Sequence, residues 1–314
     1  KAIKMLKELF EHKELTVVGQ NFKYDMNVIK KYSINFKTSI EDTMLMSYVL
    51  NSGGKHDLGT LASKFLDHEA ISYEDVVGKG KDQITFADVD IQKAVTYACE
   101  DSDLTLLVYG KLKSKLLKDK RLYDVYTNIE IKLMLIIAEM EYLGVSIDNK
   151  ELDKQSNNLK KRIEKIEKQI YSISGREFNI SSPKQIQEIF YDELKLPVLK
   201  KTPKGQPSTN EDVMTQLAED HELPSLILSF RNLLKLKNTY TDKLGVQVSS
   251  ISKRLHTSYN QTITITGRLS SSSPNLQNIP IRTSDGKKIR SAFIPRQGFK
   301  LFSADYSQIE LRIM

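Results

Sequence analysis

The sequence predicts an α/β unit at its N-terminal end, followed by a mainly helical region and then by a short return to strands. Three features support this order. Short apolar runs alternate with helical patterns up to about residue 110, a helical periodicity rich in Lys and Glu occupies the middle, and extended patterns return at about 255–266 and 290–305. We therefore expect domain boundaries close to 1–120, 121–254 and 255–314.

The α/β unit is predicted to open with an amphipathic helix over residues 1–12. Residues 15–18 are mostly apolar, which indicates a short buried strand, and a turn then leads into a helix over 22–31. Strands and helices are expected to alternate from there to about residue 110, because each strand of such a layer is covered by the helix that follows it.

The middle region is predicted to consist of helices. Residues 129–143 are apolar on nearly all sides, which indicates a buried helix. Asp148 then caps a long helix that Gly175 ends. The apolar seam of that helix consists of Leu152, Leu159, Ile163, Ile166, Ile170 and Ile173. Thr209 is expected to open another helix through a capping box, and residues 226–244 form a basic amphipathic helix.

The composition is that of an ordinary globular protein of about two domains. The 314 residues are 39% apolar and 28% charged, and no apolar stretch approaches the ~20 residues that a membrane span needs. The single Cys99 excludes an internal disulfide and suits a reducing compartment, and no signal peptide is visible, so we expect a cytoplasmic location. The chain starts at Lys1 and stops in mid-pattern at Met314, and we expect it to be a piece of a larger protein.

Positive charge is concentrated at the C-terminal end of the chain. The net charge is +7, but residues 1–110 hold 13 Lys and Arg against 17 Asp and Glu, a balance of −4. Residues 111–224 hold 20 against 19, and residues 225–314 hold 14 against 4, a balance of +10. Such a segment is typical of a protein that binds a polyanion, most often nucleic acid, although a solvated basic surface has the same composition.

Asp101 stands on an otherwise apolar helical stripe. The positions of this stripe step by three and four residues and therefore share one helix face, at Ala94, Tyr97, Asp101, Leu104 and Val108. Burying a carboxylate among apolar groups is costly unless a cation or hydrogen bonds compensate. The Tyr97 hydroxyl lies one turn away on the same face, in a position to hold a water or a phosphate oxygen. A buried Asp bonded to a backbone cap is the alternative explanation of the same pattern.

Asp25 lies in the first turn of the helix that follows the strand at 15–18. Open α/β sheets bind ligands just beyond the carboxyl ends of their strands, so this carboxylate is a candidate site residue. An Asp in a first helical turn also complements the helix dipole, and that structural role is the alternative.

A third candidate site lies near the C-terminal end. The sequence at 299–305 predicts a strand that ends at Asp305, with a helix directly after it. Asp305 and the carbonyl of Tyr306 offer oxygen ligands of the kind that Mg²⁺ prefers. The preceding loop at 266–280 is rich in small hydroxyl and amide side chains, which suit the sugar edges and minor-groove acceptors of nucleic acid.

Several long motifs resemble those of one enzyme family. The runs TGRLSSSSPNLQNIPIR and SADYSQIELRIM look like the palm of family A DNA polymerases, the bacterial DNA polymerase I type. VGQNFKYD, HDLGTLASKFL and YACEDSDLTL look like the 3′–5′ exonuclease domain of these enzymes, and LKLKNTYTDKL looks like their thumb. The resemblance runs along the whole chain in the same order. It implies a ribonuclease H-like α/β exonuclease domain, a mainly helical thumb and the first strands of an α+β palm.

For the exonuclease domain, the resemblance implies roles for four residues. Asp25 and Asp101 match metal-binding carboxylates of the family. Tyr97 matches the residue that positions the attacking water, and Asn21 matches a residue near the frayed 3′ end.

For the polymerase domain, the resemblance implies a metal ligand, a nucleotide-selecting residue and a set of DNA contacts. Asp305 matches a catalytic metal ligand, with the Tyr306 carbonyl as its neighbour. Glu310 matches the residue that fills the space a ribose 2′-OH would need. The positions that match DNA contacts are Arg231 and Lys235 on the thumb, and Arg268, Asn275, Gln277 and Asn278 at the minor groove.

The resemblance as a whole implies a DNA-directed DNA polymerase that uses two Mg²⁺ ions, primer–template DNA and deoxynucleoside triphosphates. It implies a nucleoid-associated monomer without a membrane partner. The family's first exonuclease motif would precede Lys1, and its fingers helix and second catalytic Asp would follow Met314, so we expect the chain alone not to extend a primer. A non-catalytic DNA-binding module is one alternative. A stand-alone 3′–5′ exonuclease is another, and it would need neither the loop at 266–280 nor Glu310.

Overall fold

The computed structural model describes residues 2–314, except for the side chain of residue 310. The chain is mainly helical. Its helices are α1 (Ala2–Phe10), α2 (Phe22–Lys30), α3 (Thr43–Leu50), α4 (Leu58–Leu66), α5 (Tyr73–Val77), α6 (Ile91–Leu116), α7 (Lys120–Val125), α8 (Ile131–Leu143), α9 (Asn149–Ser174), α10 (Pro183–Gln187), α11 (Glu211–Leu217), α12 (Glu222–Leu236), α13 (Asp242–Val246), α14 (Ser284–Ser291) and α15 (Ile309–Ile313). Short 3₁₀ turns lie at Gly80–Asp82 and Phe86–Asp88, and π-helical turns lie at Tyr126–Glu130, Glu188–Glu193 and Lys237–Thr241.

The strands are short and pair two by two. They are β1 (Thr16–Gly19), β2 (Ser39–Asp42), β3 (Ser146–Ile147), β4 (Ser258–Asn260), β5 (Ser270–Ser272) and β6 (Phe293–Ile294). β1 and β2 are parallel, with Gly19 opposite Asp42 at their carboxyl ends. β4 pairs with β5 and β3 with β6, both antiparallel.

The chain forms two compact units, and each is made of two segments. Unit 1 contains the residues up to Gly144 together with His256–Gln277. Unit 2 contains Val145–Leu255 together with Asn278–Met314. The chain therefore leaves unit 1 after α8 and returns to it for β4 and β5.

The core of unit 1 forms where α6 packs against α3, α4 and β1. Its buried side chains are Leu45, Met46, Leu61, Val108, Leu112, Leu116, Tyr126 and Met134. Side-chain caps begin the helices around this core: Asp57 Oδ1 accepts the Thr60 N–H of α4, and Asp90 Oδ1 accepts the Gln92 N–H of α6. This core supports the parallel strand pair, and β1 leads directly into α2.

Two expectations for unit 1 are wrong. The alternation of strands and helices ends at β2, because apolar positions such as Leu58, Leu61 and Phe65 recur at the spacing that a helix, and not a strand, places on one face. Residues 129–143 are largely helical as predicted, but Ile136 is 58% exposed. α8 is buried on one side only, where it packs against α2 and β4.

Unit 2 is built on the packing of α9 along α12. Asp148 Oδ1 accepts the Glu151 N–H at the start of α9, and Gly175 ends the helix at φ 70°, a conformation that favours glycine, so both predicted ends are confirmed. The core around this pair contains Leu159, Ile163, Ile170, Phe178, Ile186, Phe190, Met214, Ile227 and Leu233. α11 is capped by Asn210 rather than by Thr209.

Extended structure in the last sixty residues is shorter than predicted. Within 255–266 and 290–305 only β4 and β6 are strands. Residues 299–305 form no strand, and Phe302 is 90% exposed, because none of the strands in the described part of the chain pairs with this segment. Asp305 therefore does not stand at the end of a strand, and the helix after it begins at Ile309.

Candidate functional site

The turn between β1 and α2 presents Asn21 to solvent. Gly19 ends β1 where a side chain would not fit, because an added Cβ would lie 2.5 Å from Phe22 Cδ2. Asn21 follows in the left-handed region at φ 55°, which Asn tolerates better than most residues. Its side chain is exposed and makes no capping hydrogen bond to α2. The Asn21 amide thus remains available for a ligand at the start of the helix that carries Asp25.

Asp42, at the end of β2, caps α2 in place of Asn21. Its Oδ2 accepts the Phe22 N–H at 2.7 Å and its Oδ1 accepts the Leu45 N–H at 3.0 Å. The side chain is buried, and burial raises the pKa of its carboxyl to about 6, although hydrogen bonds from the backbone oppose the shift. Asp42 is not among the residues predicted above, although an Asp directly before a helical run is a capping signal.

Polar contacts from α3 and the following loop hold the same turn. Thr43 Oγ1 lies 3.1 Å from Gly19 O and 2.5 Å from Gln20 Oε1, so two acceptors compete for its one proton. Gln20 Nε2 in turn donates to His56 O at 2.7 Å. With Asp42 on one side and Thr43 on the other, the backbone that carries Asn21 and leads to Asp25 is fixed before any ligand binds.

Asp25 and Asp101 are both partly desolvated carboxylates. Asp25 is exposed as a residue, but the surrounding protein desolvates its carboxyl group and raises its pKa. Asp101 lies on α6, which packs against β1. Burial raises the pKa of Asp101, while a hydrogen bond from the Tyr97 hydroxyl opposes the rise. Carboxylates in such surroundings are stabilised by a cation.

Tyr97 is held beside Asp101 as a neutral phenol. Burial, helped by the charge of Asp101, raises the pKa of Tyr97 to about 12. Phe86 packs against its ring with 6.1 Å between ring centroids, and Tyr73 stacks on Phe86 at 6.2 Å. At neutral pH the hydroxyl can hold a water by hydrogen bonding, but it cannot act as a base.

The candidate metal ligands suit Mg²⁺ in their chemistry. Within the described residues no group of three or more His, Cys, Asp or Glu side chains is arranged to hold a metal ion. Mg²⁺, however, is usually bound through one or two carboxylates, with substrate phosphates and waters completing its shell. The partly desolvated oxygens of Asp25 and Asp101 fit that requirement.

The predicted minor-groove residues of unit 1 lie on and beside the β4–β5 hairpin (residues 258–272). Arg268 and Asn275 are exposed. Gln277 is also exposed, but its Nε2 donates to Leu269 O at 2.8 Å and its Oε1 accepts the Ser271 N–H at 3.1 Å. The Gln277 amide therefore braces the hairpin in this structure, and a contact with DNA would require it to exchange these partners.

Among the predicted DNA contacts of unit 2, Arg231 is partly buried and Lys235 and Asn278 are exposed. Arg231 Nη1 donates to Thr209 O at 3.0 Å, and burial lowers the pKa of its guanidinium. Arg231 also borders an open surface pocket together with Asn210. The hydrogen bond to Thr209 O ties α12 to the segment before α11, so a contact with DNA would compete with this structural role.

The predicted polymerase metal ligands lie on an irregular segment of unit 2. Asp305 is exposed and the Tyr306 side chain is 83% exposed. The backbone of residue 310 belongs to α15, while the Glu310 side chain lies outside the described residues. Asp305 and Tyr306 thus lie on an exposed segment outside the helices and strands, and the roles of these residues stay predictions.

Two partly desolvated carboxylates, a tyrosine hydrogen-bonded to one of them and a strongly basic C-terminal segment are together typical of proteins that act on nucleic acid. Two family models match the chain in separate regions. Residues 149–314 match DNA polymerase family A, and residues 1–117 match the 3′–5′ exonuclease. The chain belongs to DNA polymerase family A, and the resemblance seen in the sequence motifs is confirmed.

Curated relatives and a solved structure agree with this assignment. The chain is 49% identical to DNA polymerase I of Pseudomonas aeruginosa over 99% of its own length and 35% of that protein. It is 46% identical to DNA polymerase I of Rhizobium leguminosarum over 100% of its length and 31% of that protein. The chain thus spans about a third of the length of these relatives.

One solved structure that matches is the POL domain of Pol1 from M. smegmatis in complex with DNA primer–template and dNTP. The TM-score is 0.80 and the identity is 31%, over 99% of this chain and 51% of that chain. None of the helices in the described part of the present chain has the length and hydropathy that a bilayer span requires.

Proposed function

We propose that this chain forms part of a DNA-directed DNA polymerase that extends a primer 3′-OH and removes misplaced nucleotides through a 3′–5′ exonuclease domain. The observation that carries the proposal is the presence of both family matches on one chain, the exonuclease at 1–117 and the polymerase at 149–314. The polymerase match argues against a stand-alone exonuclease. In this proposal residues 1–120 form a ribonuclease H-like exonuclease domain, 121–254 a helical connector and thumb, and 255–314 the start of the palm.

In the exonuclease reaction, Asp25 and Asp101 would hold Mg²⁺, and the bound ion would activate a water and stabilise charge on the phosphate. Tyr97 orients that water through its neutral hydroxyl, which Asp101 and Phe86 hold in place. Asn21 offers its exposed amide to the 3′-terminal nucleotide. The water oxygen forms a new bond to phosphorus and the P–O3′ bond breaks, so the shortened strand leaves with a 3′-hydroxyl and the terminal nucleotide leaves as a 5′-monophosphate.

In the polymerase reaction, Asp305 and the Tyr306 carbonyl would hold Mg²⁺ near the triphosphate of the incoming deoxynucleotide. Glu310 fills the space that a ribose 2′-OH would need. The remaining residues contact primer–template DNA: Arg231, Lys235, Arg268, Asn275, Gln277 and Asn278. The protein acts as a monomer in the cytoplasm, in association with the nucleoid.

The exonuclease assignment is tested by replacing single carboxylates in the whole protein. Asp25→Asn and Asp101→Asn should each abolish 3′–5′ degradation of labelled single-stranded DNA, because each removes a charged metal ligand, and should leave primer extension near normal. Asp103→Asn is the matched control, since Asp103 is an exposed carboxylate on the same helix as Asp101. Degradation that persists in both site variants would rule out the exonuclease assignment.

The polymerase assignment is tested by nucleotide selection. In the whole protein Glu310→Ala should raise incorporation of ribonucleotides relative to deoxyribonucleotides by orders of magnitude, because the 2′-OH would no longer meet a side chain. Steady-state incorporation of each nucleotide opposite the same template base measures the ratio. If the variant discriminates as well as the unaltered protein, Glu310 does not select the sugar.

A further inference from the structure

The β4–β5 hairpin belongs to the polymerase match by sequence and to unit 1 by packing. It lies within residues 149–314, yet it forms one compact unit with the segment that matches the exonuclease. Its strands have only three residues each, and an isolated two-stranded hairpin is marginal in water. The position of Arg268, on the loop between these strands, must therefore depend on contacts that unit 1 supplies.

In one such contact, Lys23 and Glu141 hydrogen-bond both backbone groups of Tyr259 in β4. Glu141 Oε1 accepts the Tyr259 N–H at 2.6 Å, and Lys23 Nζ donates to Tyr259 O. Lys23 and Glu141 also form an ion pair at 2.5 Å, with side chains that are 11% and 9% exposed. Asn27 Nδ2 donates to Glu141 Oε2 at 3.1 Å, so both oxygens of this nearly buried carboxylate are paired. A buried charge that is fully paired holds its partners in a single arrangement.

A second contact reaches the loop itself. The hydroxyl of Tyr48, in α3, donates to Thr264 O at 2.7 Å. Thr264 Oγ1 donates to Arg268 O at 2.6 Å, so Thr264 connects Tyr48 to the backbone of Arg268. Tyr48 is 5% exposed, whereas Ile263 and Ile265 on either side of Thr264 are 68% and 71% exposed. The loop is thus held by hydrogen bonds rather than by apolar packing of its own side chains.

We propose that Tyr48 and Glu141 are positioning residues for primer extension, which hold the hairpin so that Arg268 meets the DNA minor groove. This inference rests on the proposed function. Tyr48 lies inside the exonuclease match and Glu141 lies outside both matches, so neither belongs to the polymerase region by sequence. A displacement of ~1 Å at a positioned group can reduce a rate by up to ~10²-fold, so loosening the loop should be visible in extension kinetics.

The test is Tyr48→Phe in the whole protein, which removes one oxygen and keeps the buried ring. We expect kcat/KM for primer extension to fall about three- to tenfold, the range for loss of one hydrogen bond. Degradation of single-stranded DNA should stay within about twofold, because the contacts of Asp42 and Thr43 that fix the β1–α2 turn are unchanged. Extension at the unaltered rate would overturn the proposal.

Tyr171→Phe is the matched control, since the Tyr171 hydroxyl also donates to a backbone carbonyl, Phe178 O at 3.0 Å, but in unit 2. It should extend primers as the unaltered protein does. An equal loss in both variants would show a general effect of removing a tyrosine hydroxyl and would overturn the proposal. Glu141→Gln, which removes the ion pair with Lys23, should reproduce the effect of Tyr48→Phe on extension.

Arg268→Ala separates this inference from the proposed function. If the unaltered protein does not extend primers, the proposed function itself fails. If it does, Arg268→Ala should slow extension, and adding Tyr48→Phe to Arg268→Ala should cause little further loss, because the group that Tyr48 positions is gone. Fully additive losses, or normal extension by Arg268→Ala, would show that Tyr48 does not act through Arg268.

Discussion

Asp42 is buried, and its two carboxylate oxygens accept backbone N–H groups at the starts of α2 and α3. Because Asp42 accepts the Phe22 N–H, the Asn21 side chain makes no capping hydrogen bond to α2. Functional side chains are often supported in this way by a neighbour that never touches the ligand. Burying Asp42 in its charged form is costly, and this cost should appear in the free energy of unfolding.

The burial of Asp42 should make the stability of the protein depend on pH. The pKa of Asp42 is raised to about 6 by burial, above its ordinary value of 3.8, so its contribution to stability is fully present below about pH 3.8 and is lost as the pH rises through 6. A shift of this size corresponds to about 3 kcal/mol. The free energy of unfolding of the unaltered protein, minus that of Asp42→Asn, should therefore decrease by up to about 3 kcal/mol between pH 4 and pH 7. Urea titrations at several pH values measure the difference, and parallel curves would contradict the prediction.

The helical placement of the candidate site residues could be predicted from sequence, whereas their contacts could not. Asp25, Asp101 and Tyr97 lie on helices as expected, because helical positions follow from local spacing, and their roles stay predictions. The partners of Gln277 and Arg231 were not foreseen, because hydrogen bonds to Leu269 O and Thr209 O depend on how distant segments meet. Whether a side chain already hydrogen-bonds within the protein depends on tertiary structure, and a sequence motif does not reveal it.

The β1–α2 turn requires a glycine at position 19, because a larger residue would overlap Phe22. Gly19→Ala should destabilise the protein by about 1–3 kcal/mol, because the new Cβ would overlap the Phe22 ring. Gly110→Ala is the matched control: Gly110 lies inside α6 with nothing within 4 Å of an added Cβ, so Ala should stabilise it by about 0.5–1 kcal/mol. Thermal unfolding distinguishes the two. A Gly19→Ala variant as stable as the unaltered protein would show that the turn can relax around the methyl group.

Helices were predicted better than strands, and the difference lies in where their hydrogen bonds go. The ends of α9 follow from Asp148 and Gly175, because a helix satisfies its backbone within its own segment. A strand needs a partner that local sequence does not identify. Residues 299–305 carry a strand pattern but none of the described strands pairs with them, while β4 pairs with β5 across the nine residues 261–269. Strand patterns without a known partner therefore overestimate strand length.

For the whole molecule, the two compact units do not follow the order of the sequence. The segment His256–Gln277 packs in unit 1, although the charge block at 225–314 and the polymerase match both extend through it. Deleting residues 225–314 to test DNA binding would remove part of the structure of unit 1 as well as the positive charge. Substitution of exposed cations is the better test, because it changes the charge and leaves the fold intact.

The basic C-terminal segment should dominate the affinity for duplex DNA and its dependence on salt. Arg282, Lys287 and Arg290 are exposed cations of unit 2, and changing all three to Gln removes three positive charges. Each phosphate contact contributes about −0.9 to the slope of log affinity against log salt, so the slope should become shallower by up to about 2.7. Lys31, Lys37 and Lys81 are exposed cations of the acidic N-terminal segment, and the same substitutions there should leave the slope nearly unchanged. Fluorescence anisotropy of a labelled duplex between low and moderate salt gives both slopes. Equal changes in the two triple variants would mean that binding responds to net charge alone, and the C-terminal segment would then not be the DNA-binding surface.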